Sequence, residues 1–175
     1  MMVARLDPQK DWITFLETAR LVQEQMDQCC GFLVVGSGPE EQRLQDYAAA
    51  RNIGRVFFLN HRGDVPSLLH QADVFLLTSR REPFGIVVLE AMAAGCPVVA
   101  TRSDGPNTIL TDGVDGLLAD VGDVQGLANH VIALLQDDGF ARKLVQTARK
   151  TVANHYSLEV VSTRMANIYR EVLEQ

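Results

Sequence analysis

The chain has 175 residues and 19.3 kDa, with 47% hydrophobic and 22% charged residues. That is one domain able to bury roughly 70% of its unfolded surface, and it is neither collagen-like, disordered nor a disulfide scaffold. Sixteen basic against 22 acidic residues leave a net charge of −6, a poor balance for nonspecific nucleic-acid binding, which draws on many Lys and Arg contacts to phosphate.

In chain order, short apolar, β-branched runs alternate with helical patterns. Strands are predicted at Met2–Leu6, Gly31–Val35, Arg55–Leu59, Asp73–Leu77, Pro97–Ala100 and Gly116–Leu118. They are continuous rather than alternating, as strands covered on both faces should be. Helices are predicted between them at Asp11–Gln28, Glu40–Arg51, Asp64–Gln71 and Gly85–Ala94. The first shows Trp12, Phe15, Ala19, Val22 and Met26 at helical spacing, one apolar stripe. Three more, Val124–Gln136, Gly139–Ala153 and Leu158–Leu173, close the chain. Strand–helix alternation of this kind implies a Rossmann-like α/β fold: a single doubly wound parallel sheet of about six strands with helices on both faces.

No apolar run reaches the ~18 residues that span a bilayer, and Arg5 and Asp7 interrupt the N-terminal stretch before it could form a signal peptide. Cys29, Cys30 and Cys96 are odd in number and lack CxxC spacing, which predicts reduced packing residues in a cytoplasmic protein. The first strand begins at residue 2, so either the domain is economical or a portion lies upstream.

In open α/β sheets ligands bind outside the carboxyl ends of the strands. Six of the sixteen basic residues (Arg5, Lys10, Arg62, Arg80, Arg81 and Arg102) fall in the loops that follow strands. Cations concentrated beside glycines and helix N-termini are suited to a phosphate. Lys10 is the only lysine before Lys143. Arg80 and Arg81 are adjacent and diverge, so at most one is expected to reach an anion. Gly36-Ser37-Gly38 invites a dinucleotide reading, but Glu41 stands where the third glycine of GxGxxG belongs, and no acidic residue follows the next strand. No GxxxxGK[ST] loop occurs. No D-x-D occurs either, so a metal-bridged diphosphate is not indicated and no metal ligand is assigned. The Asp residues at 112, 115, 120 and 123 alternate with Gly and read as turns.

Two carboxylates eight residues apart frame the most informative segment, Glu82 to Ala100. Pro83 blocks helix before it, Gly85 permits close approach of a ligand to the backbone, and the first helical turn presents free N–H groups. Glu90 lies in an otherwise apolar stretch, where a buried carboxylate needs partners such as hydroxyl groups; a place on a solvated stripe is the alternative.

Glu82 and Glu90 form an E-x7-E pattern that resembles the retaining nucleotide-sugar glycosyltransferases with the GT-B fold, and the surroundings resemble glycosyltransferase family 4. Arg5 through Lys10 is similar to that family's R-x4-K element, Gly36–Pro39 to its second-strand turn, Ala72–Phe75 to its fourth-strand entry, and Asp112–Leu118 to the turn and strand beyond. After Gly105-Pro106-Asn107 many family members carry Glu, whereas this chain has Thr108. The resemblance spans about residues 2 to 120 and implies the C-terminal, donor-binding half of a GT-B enzyme, with the N-terminal acceptor domain absent from this chain.

It further implies a nucleoside diphosphate sugar as substrate, without a cofactor. Arg5 and Lys10 would clamp the diphosphate and Glu82 would face the sugar. The amides of Gly85, Ile86 and Val87, beside Phe84, would hold the distal phosphate. Glu90 would bind ribose hydroxyls, the loop Asn60, His61 and Arg62 would receive the base, and Gly36 and Gly38 would belong to the donor-binding site. The implied reaction is metal-independent transfer to an acceptor hydroxyl with retention, requiring the other domain, so the chain alone is expected to be inactive for transfer. The alternative is a noncatalytic nucleotide-sugar-binding module acting through a partner chain. A sugar-nucleotide epimerase shares the architecture but not the E-x7-E and R-x4-K elements. The chain carries no membrane segment, which leaves the complete enzyme free to sit peripherally at a membrane.

Overall fold

The β-branched runs form six short parallel strands in a computed structural model that describes residues 1–26 and 29–174. They are β1 (Met2–Val3), β2 (Phe32–Val35), β3 (Val56–Leu59), β4 (Phe75–Leu77), β5 (Val98–Thr101) and β6 (Leu117–Ala119). The helices are α1 (Trp12–Gln25), α2 (Glu41–Ala50), α3 (Val65–Gln71), α4 (Ile86–Ala94), α5 (Asp104–Ile109), α6 (Val124–Gln136), α7 (Asp138–His155) and α8 (Leu158–Leu173). The extension of α1 expected to Gln28 falls on residues 27 and 28, which lie outside the described residues.

The α/β fold expected from the sequence is present as two three-stranded parallel sheets, β1-β2-β3 and β4-β5-β6, rather than one unbroken ladder. The reason is the length of β1. Its two residues pair with Val34 and Val35 of β2, and toward β4 the Leu76 N–H donates to Met1 O, at 2.9 Å, beside a 2.7 Å bond from the Met1 ammonium to Val74 O. Ala4 and Leu6, expected in the first strand, still donate to Val35 O and Ser37 O but lie past its end. β1 thus sits between β2 and β4, not at an edge.

Trp12, Phe15, Leu16, Ala19 and Val22 of α1 are buried, and Phe15 makes edge-to-face contacts with Trp12 at 5.5 Å and Phe32 at 5.8 Å. Such aromatic pairs add about 0.5–1.5 kcal/mol each beyond the area they bury. α1 packs on α6, and α4 on α3 and α7. Two elements were not anticipated: a 3-10 turn at Pro8–Lys10 and helix α5. Gly105-Pro106 reads as loop, yet Pro106 falls in the first helical turn, where its missing N–H has no intrahelical partner to lose.

Cys96 is buried, and burial pushes its thiol up to about 11. Cys29 is exposed and Cys30 half-buried, so only one cysteine is a core residue. α8 starts from a Ser157 cap but contains no buried residue, and Met165, Ile168, Tyr169 and Val172 are all exposed. Among the described residues no helix is long and apolar enough to cross a membrane.

Candidate functional site

From β1 the chain builds outward through β2 and β3, and from β4 outward through β5 and β6. The order reverses between β1 and β4, and the carboxyl ends of strands at such a point bound the usual ligand crevice. A depression of about 480 Å³ opens there, lined by Val3, Ala4, Arg5 and Lys10 on one bank and by Glu82 through Val87 on the other. A second, of about 530 Å³, is lined by the same Val3, Ala4 and Arg5, then Val35 to Gly38, His61, Arg62 and Val65. Arg5 stands where the two lobes meet. Its guanidinium is exposed and has no side-chain partner among the described residues.

Lys10 and Glu82, 72 residues apart in sequence, meet across the first lobe: Lys10 Nζ lies 2.6 Å from Glu82 Oε2. Their side chains are only 18% and 12% exposed. Ser79 Oγ adds a longer contact to the same oxygen, 3.4 Å. The backbone behind Glu82 is fixed by Gly105 N–H, which donates to Glu82 O at 2.7 Å. Gly85 caps α4 with a φ of +91°, a conformation a side chain would strain. The Val88 N–H is already bonded to Gly85 O at 2.9 Å, whereas those of Ile86 and Val87 precede any intrahelical acceptor. The lobe therefore offers a cation, a guanidinium at the rim, a carboxylate and first-turn N–H groups facing one space.

Gly36 and Gly38 line the second lobe, but their lack of a side chain serves backbone packing first. A Cβ would come within 2.0 Å of Ala4 O at Gly36 and 2.3 Å of Leu6 O at Gly38. His61 also lines this lobe, and Asn60 belongs to neither lining. Arg62 reaches the lobe, yet its guanidinium is forked onto Asp64 at 2.8 and 2.6 Å. That hydrogen bonding lowers the Asp64 carboxyl from its ordinary value.

Phe84 is 44% exposed and meets Tyr156 edge-on at 6.3 Å. Glu90 is exposed, so the cost expected for a buried carboxylate does not arise. α4 is apolar around its circumference and turns Ile86, Glu90 and Ala93 outward, at positions i, i+4 and i+7. Glu90 thus follows Ile86 by one turn and opens on a third depression, bordered by Pro66, His70 and Arg149, which shares no lining residue with either lobe. Arg80 does not point into the cleft; its Nε donates to Asp11 Oδ2 at 2.9 Å. Asp11, Thr78 and Ser79 were not singled out from the sequence. The carboxylate at the head of α1 was the available sign, since Asp before Trp12 reads as a helix cap.

Residues 1–151 match the family described as Glycosyl transferases group 1. The chain is 31% identical over 173 residues to the 2-deoxystreptamine N-acetyl-D-glucosaminyltransferase of Niallia circulans, covering 97% of this chain and 44% of the relative. It is 37% identical over 142 residues to the N-acetyl-alpha-D-glucosaminyl L-malate synthase of Bacillus anthracis, covering 81% and 37%. The chain therefore spans less than half the length of these relatives. Among solved structures it resembles Anabaena HepE in complex with UDP, with a TM-score of 0.87, 26% identity and coverage of 97% of this chain and 48% of that one. Staphylococcus aureus TarM, in complex with UDP, gives a TM-score of 0.90 at 25% identity, covering 96% and 34%.

Proposed function

The chain belongs to the group 1 glycosyl transferases, and from that premise we propose that it is the donor-binding half of a retaining glycosyltransferase, taking a nucleoside diphosphate sugar across the cleft between β1 and β4. The observation that carries this reading is the Lys10–Glu82 pair at 2.6 Å beside Arg5 and the head of α4. An ammonium, a guanidinium and unpartnered N–H groups converging on one space suit a diphosphate, and a carboxylate beside them suits sugar hydroxyls. Uridine is the favoured base, because solved relatives of the same fold hold UDP, and HepE also UDP-glucose.

In this reading Arg5 and Lys10 neutralise the charge that develops on the leaving phosphate as the bond from the anomeric carbon to the phosphate oxygen breaks. The acceptor oxygen bonds that carbon on the same face, and the acceptor proton passes to the departing nucleoside diphosphate. Donor binding releases Lys10 from Glu82, which then faces the sugar. The α4 amides hold the distal phosphate, and the exposed Glu90 takes the ribose hydroxyls. The base lies in the second lobe against Gly36, Gly38, His61 and Arg62, with Asn60 at its margin. Arg5 and Lys10 perform the charge neutralisation without a metal.

The acceptor site is assigned to a further N-terminal domain. The chain's share of its relatives and the uncovered apolar face of α8 support that assignment. Three free thiols, one of them buried, suit a reducing cytoplasm. Saturation-transfer NMR on the purified chain with UDP-glucose tests the reading. Enhancements are expected on both uracil and sugar protons, and their absence with UDP-, GDP- and ADP-linked hexoses alike would contradict it.

A further inference from the structure

Among the described residues the two banks of the cleft belong to separate sheets and are joined by few main-chain bonds. The bonds linking β1 to β4, through Met1, lie at the end of the strands away from the cleft. At the cleft end the ties are one main-chain bond, from the Arg80 N–H to Gln9 O, and three contacts made by the side chains of Thr78 and Arg80. Thr78, the residue after β4, is fully buried, and its Oγ1 lies 3.2 Å from Lys10 O and 3.1 Å from Asp11 O. Met2 Sδ of β1 also lies 3.5 Å from this oxygen; a hydroxyl has one proton, so Thr78 shares it chiefly between the two nearer carbonyls. Two residues on, the Arg80 N–H donates to Gln9 O at 2.9 Å while Arg80 Nε donates to the Asp11 carboxylate at 2.9 Å. Asp11 is held in turn. Its side chain is 4% exposed, it accepts from the Thr14 hydroxyl at 2.9 Å, and its φ of 48° is left-handed.

We propose that Thr78 and Arg80 are positioning residues for Lys10: by clamping the backbone of Gln9, Lys10 and Asp11 onto the end of β4, they place the Lys10 ammonium at Glu82, where the donor's diphosphate is to be bound. The inference rests on the donor reading above. All four bonds end on Lys10 or its immediate neighbours, and Lys10 is the cation that reaches across the cleft. The Arg80 side chain is 66% exposed, so its ion pair contributes little to global stability. Its effect is local, on a backbone whose left-handed turn needs fixing. Arg80 is also thereby committed away from the phosphate that the sequence offered it.

The test uses the whole 175-residue chain and two probes, UDP by calorimetry and uridine by ligand-observed NMR titration. Uridine fills the base lobe without a diphosphate and so does not engage Lys10. Thr78→Val and Arg80→Ala are expected to weaken UDP about five- to tenfold, the size of one neutral hydrogen bond, and to leave uridine within twofold. Thr78→Ser, which restores the hydroxyl, is expected to restore UDP binding. A purely structural role would move both probes together, or neither. Equal losses for UDP and uridine, or unchanged UDP binding in Arg80→Ala, overturn the proposal. If Thr78→Val does not fold, Arg80→Ala and Thr78→Ser carry the test. A wild-type chain that binds UDP no better than uridine overturns the donor reading instead.

Discussion

Replacing Lys10 by Met keeps the stem of the side chain and removes its charge. That ammonium is held by Glu82 at 2.6 Å, with both side chains under one-fifth exposed. A charged hydrogen bond contributes roughly 1.5–3 kcal/mol. Because UDP exchanges one anionic partner of Lys10 for another, the lower half of that range applies, and Lys10→Met should weaken UDP about 12- to 40-fold. Glu82 then remains as an uncompensated carboxylate against the diphosphate. The double variant Lys10→Met/Glu82→Gln removes that repulsion and is expected to bind UDP more tightly than Lys10→Met alone, though less tightly than wild type. Calorimetric titration of the three proteins with UDP reads this directly. A Lys10→Met chain within twofold of wild type would refute the assignment of Lys10 to the diphosphate.

Gly38→Ala places a Cβ 2.3 Å from Leu6 O, an overpacking cost of about 1–3 kcal/mol, so melting should fall by about 3–10 °C; an unchanged melting temperature would refute the close approach. Glu17 is pushed up by burial but pulled down further by hydrogen bonds from Tyr47 and Arg20, for a net lowering. Its contribution to stability is therefore full above the ordinary value of 4.5 and is lost as pH falls through the depressed value. Tyr47→Phe should cost about 1 kcal/mol at pH 7 and less under acid, which urea unfolding at the two pH values measures; an equal loss at both would contradict the pairing. Removing residues 158–175 takes away no buried side chain of α8, so the melting transition should persist with its midpoint shifted by only a few degrees. A truncated chain that no longer melts cooperatively would show that α8 supports the fold.

Long periodic segments were legible to the residue: α6 and α8 begin and end where the apolar spacing places them. Strand ends were less so, because the backbone past Val3 keeps bonding to Val35 and Ser37 without regular strand geometry. Helix α5 was hidden by Gly105-Pro106, residues that punctuate loops but also suit a first helical turn. Most of the candidate cleft could be read from the loops following β1 and β4, since parallel topology fixes which ends of the strands come together. The exposure of Glu90 could not, because a helix apolar on every side gives no periodic sign of its outward face. Nor could the clamp: Asp11 and Arg80 are 69 residues apart, and no local pattern links a capping carboxylate to a guanidinium on another loop.

The central claim is that the cleft between β1 and β4 holds the diphosphate of a nucleotide at Lys10, with Glu90, outside the two lobes, reaching its ribose. Thermal denaturation of the purified chain with UDP, GDP and ADP in turn tests it most directly. At about a hundredfold over Kd, bound ligand adds roughly 2.7 kcal/mol, or about 5–10 °C for a domain of this size. The account predicts that rise with UDP, and its loss in Lys10→Ala and Glu90→Ala. No rise with any of the three nucleotides, or a rise that persists in both variants, would contradict it.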